Sequence, residues 1–363
     1  MNIFEFMKEM VTRNASDLFF RAGGLPHLRI DGRLVPCGDV PLSVEDVMKA
    51  TDDLTSAEQR ERFKRKLDVD FALDVDFTLY LKDLSHRFRV SIFMQRNWPS
   101  IVVRNIRNTS ATFEELGLPV EVLTKLSQET RGLVLLTGSM GSGKSTTIAS
   151  MLEYINQNSY KHILTVEEPI EYTFKDVHCL INQRDLGIDV SSYATALRAF
   201  TLQSPDVIFI GNIRDHETMS AALTAAETGV LVLSTLHTVN AAQSVERITN
   251  FFPPHQHLQI RTQLSSLLKG IISLRLIPLK EGAGRVPAYE TMLLTPTISR
   301  LIREGKTWEI PQFIEDGSVF GMQTFNQSLT KLVNDGKVTE EMAAIFADNR
   351  EEFLLSLRGF KRK

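Results

Sequence analysis

The residues Gly138, Ser139, Met140, Gly141, Ser142, Gly143, Lys144 and Ser145, followed by Thr146, constrain this chain more than any other stretch. An apolar run from Gly132 to Leu136 precedes them and Thr146 to Leu152 follow, so the order is strand, glycine-rich loop, helix start. A phosphate-binding loop requires that setting. Glycines let the loop wrap a phosphate chain closely, and its backbone N–H groups and the helix N-terminus then face the negative charge. Lys144 is expected between the β- and γ-phosphates, and the Ser145 hydroxyl on Mg²⁺.

The 363 residues are enough for two domains with separate cores. A hydrophobic content of 43% and a charged content of 23% describe a soluble globular chain. With 41 basic against 44 acidic residues, no global basic surface for DNA or RNA is expected. Cys37 and Cys179 cannot build a disulfide framework or a four-cysteine zinc site, and they read as reduced thiols in a cytosolic protein. Met1 to Met10 mix acids with apolar residues, unlike a signal peptide, and no apolar run is long enough to span a membrane.

Before the loop, Ile3, Phe4, Phe6, Met7, Met10 and Val11 recur at helical spacing. Strands are expected at Ser16 to Phe20 and in a hairpin from His27 to Val35 that turns at Asp31-Gly32. Ser43 with Asp46, and Thr55 with Glu58, resemble capping boxes. The charge-rich stretch Glu58 to Lys66 intersperses acids with bases and reads as a solvated helix face. Further strands are expected at Val69 to Leu79, Arg87 to Gln95 and Ser100 to Arg107. These make a small α+β domain that ends near residue 108, followed by a polar hinge, Asn108 to Thr112.

After the loop, apolar strands at His162 to Val166, Val207 to Ile210 and Val230 to Ser234 alternate with helices, which argues a parallel sheet covered on both faces. Catalytic groups should gather at the carboxyl ends of those strands. Glu167, the segment Gly211 to Asp215, and His237 all stand there. Helices are expected at Leu258 to Gly270, Pro296 to Gly305, Trp308 to Glu315, Met322 to Asn334 and Thr339 to Leu357, with Phe325, Leu329 and Leu332 as core.

Taken together, these segments resemble the secretion-superfamily ATPases that drive type IV pili, and within them the retraction motors of the PilT/PilU family. The matching stretches are Arg87-Phe-Arg-Val-Ser91, the phosphate loop, Glu167-Glu-Pro-Ile-Glu171, Gly211-Asn-Ile-Arg-Asp215, Ser234-Thr-Leu-His-Thr238 and Leu301-Ile-Arg-Glu304. Phe93 to Asn97, Asn156 to Asn158, Ile248 to Pro253 and the ending from Ala347 to Leu357 look more like the PilU branch. The resemblance implies a PAS-like α+β domain over 1–107, the hinge at 108–112, a RecA-like P-loop ATPase domain over 113–295 and a helical C-terminal extension over 296–363. It also implies ATP and Mg²⁺ as ligands and a homo-hexamer with nucleotide between neighbours. Glu167 acts near the metal and the attacking water, His237 senses the γ-phosphate, and Arg89 and Arg104 offer charge to nucleotide. Asn212 and Arg214 complete the expected catalytic set.

Four positions depart from the family pattern: Asn212 for a glutamate, Glu168 for an aspartate, Val230 for a histidine and Leu202 for an arginine. An amide can hold water by hydrogen bonds but is no base at neutral pH, and loss of such a base typically costs about 10² to 10⁴ in rate. The four departures are expected to surround the catalytic site and to weaken hydrolysis more than binding. The expected protein is a cytoplasmic motor subunit at the inner face of the membrane, reaching an inner-membrane platform protein and an active PilT-type paralogue. A non-hydrolysing regulatory subunit is the main alternative. A RecA-like nucleic-acid motor is a weaker one.

Overall fold

The computed structural model describes residues 1–30, 32–56, 75–81, 86–106, 111–281 and 284–357. Several sequence expectations fall wholly or partly outside these residues: the hairpin-turn residue Asp31, the capping box at Thr55–Glu58, the charge-rich 58–66, the strand start at 69–74, the strand end at Arg107, most of the hinge at 108–112 and the end of the C-terminal extension at 358–363. The chain divides into two compact units, Met1–Asn108 and Thr109–Lys363.

In the first unit, α1 (Ile3–Thr12) is followed by β1 (Asp17–Arg21), β2 (His27–Ile30), β3 (Arg33–Pro36) and α2 (Val44–Leu54). Three longer strands follow among the described residues: β4 (Val75–Leu81), β5 (His86–Gln95) and β6 (Trp98–Ile106). They form one antiparallel sheet in the order β3-β2-β1-β6-β5-β4. Period-two alternation decides its faces. Leu18, Phe20, Phe88, Val90, Ile92, Ile101 and Val103 are buried with Ile3, Met7 and Met10 of α1 and Val47 and Ala50 of α2. Ser43 and Asp46 make both bonds of the expected capping box at the start of α2. Thr55 closes that same helix at its C-terminal end.

The second unit begins its regular structure with α3 (Val120–Ser127), β7 (Gly132–Thr137), α4 (Lys144–Asn158) and β8 (His162–Glu167). Next come β9 (Leu180–Asp185), α5 (Tyr193–Phe200), β10 (Val207–Ile210), α6 (His216–Glu227) and β11 (Leu231–Leu236). After α7 (Ala241–Asn250) and α8 (His257–Leu267), the long pair β12 (Leu268–Pro278) and β13 (Arg285–Leu293) follows. The chain closes with α9 (Pro296–Glu304), α10 (Ile310–Glu315), α11 (Phe325–Asn334), α12 (Glu340–Phe346) and α13 (Arg350–Leu357).

Seven strands form its sheet in the order β13-β12-β7-β11-β10-β8-β9. The pairs from β12 to β9 are parallel, and β13 is antiparallel to β12. The strands expected from the sequence are parallel to one another, the sheet as a whole is mixed because of β13, and three of its strands were not expected. β9 lies at the sheet edge with a polar pattern, Leu-Ile-Asn-Gln-Arg-Asp, which hides the apolar signal of a strand. β12 has a run of successive buried residues from Gly270 to Leu274. Such a run does not separate strand from helix by period, and the helix expected to reach Gly270 ends at Leu267. β13 pairs with β12 from Arg285 to Leu293.

Registers align the strand ends. Val166, Ile210, Ser234 and Leu135 stand in one row across β8, β10, β11 and β7. Glu167 at the end of β8 and the loops that carry Gly138, Asn212 and His237 thus stand at the same edge of the sheet. Phe325, Leu329 and Leu332 are buried in a separate cluster with Ile277, Ala288 and Phe353, beneath the C-terminal helices.

Candidate nucleotide site

The loop between β7 and α4 depends on glycine. Gly138 has φ 143°, and an added Cβ would meet Leu274 O and Ser142 Oγ, each at 2.5 Å. Gly143 stands before α4 with φ 99° and offers no side-chain cap. The first N–H groups of a 15-residue helix are thus left facing outward, the arrangement that receives a phosphate. The Ser142 hydroxyl is buried and makes no hydrogen bond. An unbonded buried hydroxyl beside a glycine cradle fits an oxygen-rich anion, since such a group is otherwise costly.

Lys144 is 7% exposed, and its ammonium donates to Gly138 O at 2.7 Å and Ser139 O at 2.8 Å. Burial holds its pKa below the ordinary lysine value. Ser145 is half-buried and lines a cleft of about 60 Å³ with Glu167, Glu168, Tyr172, Tyr193 and Asn212. The Thr146 hydroxyl lies 2.9 Å from that of Tyr172. Met140 is the loop's outermost side chain, at 91% exposure.

Glu167 ends β8 and is 7% exposed. Its Oε1 accepts from Thr165 Oγ1 at 2.7 Å and Gln183 Nε2 at 3.3 Å. Burial outweighs those bonds and pushes the carboxyl up to about 7. Glu168 points elsewhere: it accepts from Arg214 at 3.1 Å in an exposed ion pair, and a cis peptide joins it to Pro169. Asp215 caps α6 by accepting from Thr218 N.

Asn212 follows β10 and is 7% exposed, with an Oδ1 that has no hydrogen-bond partner. Its backbone neighbours are fastened on both sides. Gly211 N donates to Val166 O at 2.8 Å, Thr235 Oγ1 donates to Gly211 O at 2.7 Å and Ile213 N donates to Thr235 O at 3.1 Å. The Tyr193 hydroxyl is likewise buried without a partner and lines the same cleft. Burial, with Glu168 adding to it, raises that phenol and keeps it protonated. Two unbonded polar atoms in one cleft make a seat for ordered water.

His237 follows β11, and its pKa is lowered by burial and by the charges of Lys144 and Arg214, with the Gly138 backbone pulling the other way. It is a neutral imidazole beside the phosphate loop at neutral pH. Among the described residues, no group of three or more His, Cys, Asp or Glu is placed to hold a metal ion. Ser145 and Glu167 supply at most two protein ligands. Two ligands suit Mg²⁺, which takes its remaining oxygens from substrate phosphates and water.

In the first unit, Arg89 and Arg104 are cross-strand partners on β5 and β6. Asp17 on β1 opposes Arg104, and Arg29 on β2 opposes Asp17. Arg104 Nε donates to Asp17 Oδ1 at 2.9 Å, and Arg29 lies 3.4 Å from the other carboxylate oxygen. Three arginines and one buried aspartate thus form a row with excess positive charge.

Two of the four departures lie away from these groups. Val230 precedes β11, and its carbonyl accepts from Gly132 N, at the start of β7. Leu202 precedes β10, next to Gln203, whose carbonyl meets His162 at the start of β8. Both stand at the amino ends of strands, about 20 Å from the loops at the other end by strand rise. Only Glu168 and Asn212 border the cleft. Tyr172, Gln183 and Tyr193 joined the site without a sequence signal, because each belongs to an edge strand, a loop or a helix start with no motif.

Residues 2–282 match the family model for type II/IV secretion system proteins. The type IV pilus ATPase PilU of Pseudomonas aeruginosa is 39% identical over 358 residues, 99% of this chain and 92% of the relative. The retraction ATPase PilT of the same organism is 41% identical over 353 residues, 97% of this chain and all of the relative. A crystal structure of the pilus retraction motor PilT with bound ADP superimposes with a TM-score of 0.88 at 42% identity, covering 97% of this chain and 98% of that one.

Proposed function

The chain belongs to the type II/IV secretion system protein family, with the PilT and PilU pilus ATPases, and we propose that it is an ATP-hydrolysing motor subunit of type IV pilus retraction. The observation that carries this reading is the phosphate loop itself, a cradle that only glycine fits ahead of an uncapped helix, with Lys144 in reach.

In this reading the backbone N–H groups of Gly141 to Thr146 bind the phosphate chain of ATP, and Lys144 leaves its two carbonyl partners for phosphate oxygens. Ser145 and Glu167 would hold Mg²⁺, which would neutralise part of the phosphate charge of ATP. Asn212 and Tyr193 keep the attacking water in the cleft, and Glu167 takes its proton. His237, uncharged, reads the γ-phosphate by a hydrogen bond, and Arg214 adds positive charge nearby. Arg89 and Arg104 supply positive charge to nucleotide held by a neighbouring subunit of a homo-hexamer, a task suited to a guanidinium that never loses its charge.

Closure of one subunit on the next with ATP, and reopening after product release, would deform the ring. The ring would act from the cytoplasmic face of the inner membrane on a platform protein, beside a PilT-type paralogue. No described helix is long and apolar enough to cross a membrane. The near balance of acidic and basic residues speaks against nucleic acid as the substrate.

Asn212 favours a second reading, in which the chain binds ATP and turns it over too slowly to drive retraction alone. Nucleotide binding and phosphate release by the purified full-length protein separate the two. Tight binding with turnover at the level of Lys144→Ala is the result that would replace the motor with a regulatory subunit.

A further inference from the structure

Thr137 on β7, Ser273 on β12 and Glu290 on β13 stand in one row across three neighbouring strands. Directly opposed residues share a face of the sheet, and here their polar ends meet. Thr137 Oγ1 donates to Ser273 Oγ at 2.9 Å, Ser273 Oγ donates to Glu290 Oε1 at 3.4 Å, and Ala241 N donates to the same oxygen at 2.7 Å. All three side chains are buried, Glu290 at 5% exposure. A buried carboxyl is costly unless it is bonded, and these bonds lead in two directions.

In one direction the chain of bonds ends at Thr137, the residue before Gly138. In the other it ends at Ala241, the first residue of α7, where the loop bearing His237 is anchored. The hydroxyls of Thr238 and Ser244 lie 2.6 Å apart and fasten that loop to the same helix. β12 also touches the phosphate loop directly: the site of a Cβ on Gly138 lies against Leu274 O, and that on Gly143 lies 3.8 Å from the Leu276 side chain.

We propose that Glu290 is a positioning residue that ties the phosphate loop to the histidine loop, so that filling the first orders the second. The proposal rests on the nucleotide reading above. The linking element is an acceptor oxygen, which serves Ala241 N–H whether the carboxyl is neutral or ionised. Burial and Asp348 push this carboxyl up, to about 7, while Arg275 draws it down. Glutamine keeps the acceptor and alanine does not.

Hydrogen exchange on the full-length assembly, with and without a non-hydrolysable ATP analogue and Mg²⁺, tests this. In the unsubstituted protein the analogue should slow exchange about tenfold in both 138–146 and 237–244, within the usual range of coupling between sites. Glu290→Ala should keep the first protection and lose the second, and Glu290→Gln should restore it. Ser273→Ala removes only the link to Thr137 and should also lose the second, which keeps the test intact if Glu290→Ala fails to fold. Unchanged protection ratios in both segments for the Ala variants, even with faster exchange overall, would reduce Glu290 to a structural group and overturn the proposal. Absence of protection at 138–146 in the unsubstituted protein would instead overturn nucleotide binding, and this inference with it.

Discussion

Glu167 faces two opposed demands. Its place at the end of a buried strand raises its carboxyl to about 7, and a base must be ionised to accept a proton. For the free protein, kcat/KM should therefore rise as pH increases from 6 to 8, and Glu167→Gln should abolish that limb together with most of the activity. A profile flat across this range in the unsubstituted protein would assign the base elsewhere. Lys144 makes a simpler claim. Loss of its charge-assisted bonds should weaken ADP binding about 10- to 100-fold in Lys144→Ala, measured by titration calorimetry.

At the scale of elements, β12 does the most joining. It carries Ser273 toward the site and Arg275 toward the C-terminal helices, where the guanidinium donates to Phe346 O at 2.6 Å, pairs with Asp348 and lies 3.7 Å from the centre of the Phe325 ring. Arg275→Ala should loosen α12 and α13 without removing nucleotide binding, seen as faster exchange in 340–357 at unchanged ADP affinity. Glu290 adds a pH dependence to the folded state. A carboxyl whose folded value lies above its unfolded one stabilises fully at low pH, and that contribution is lost as pH rises from about 4.5 through about 7. The melting temperature should accordingly fall between pH 5 and pH 8, with a smaller fall in Glu290→Gln.

The same strand shows where sequence reading stopped. Motifs marked the loops after β7, β8, β10 and β11, because phosphate binding demands glycine at positions such as Gly138 and because Glu167 and His237 each end an apolar run. β12 carries no motif, and burial of successive residues from Gly270 to Leu274 erases the alternation that would have identified it. Glu290 left only one trace, an acid in a strand whose other residues from Pro287 to Leu293 carry no charge. The clustering of departures also misread distance: Val230 and Asn212 lie near one another in the sequence yet belong to opposite ends of the sheet.

For the whole molecule, a ring of subunits predicts that arginines of one chain serve nucleotide bound by another. Arg89→Ala and Lys144→Ala subunits, each inactive alone, should recover partial hydrolysis when mixed, since some sites then combine an intact arginine row with an intact phosphate loop. Additive inactivity at all mixing ratios would confine the site to one chain. The claim on which the rest depends is that this chain hydrolyses ATP, slowly because Asn212 stands where the family pattern has a glutamate and leaves the proton to Glu167, which burial keeps only partly ionised. Steady-state phosphate release by the purified full-length protein beside Lys144→Ala and Asn212→Glu tests it most directly. The account predicts turnover above the Lys144→Ala background and a rise of about 10²-fold or more in Asn212→Glu; turnover equal to that background in both would contradict it.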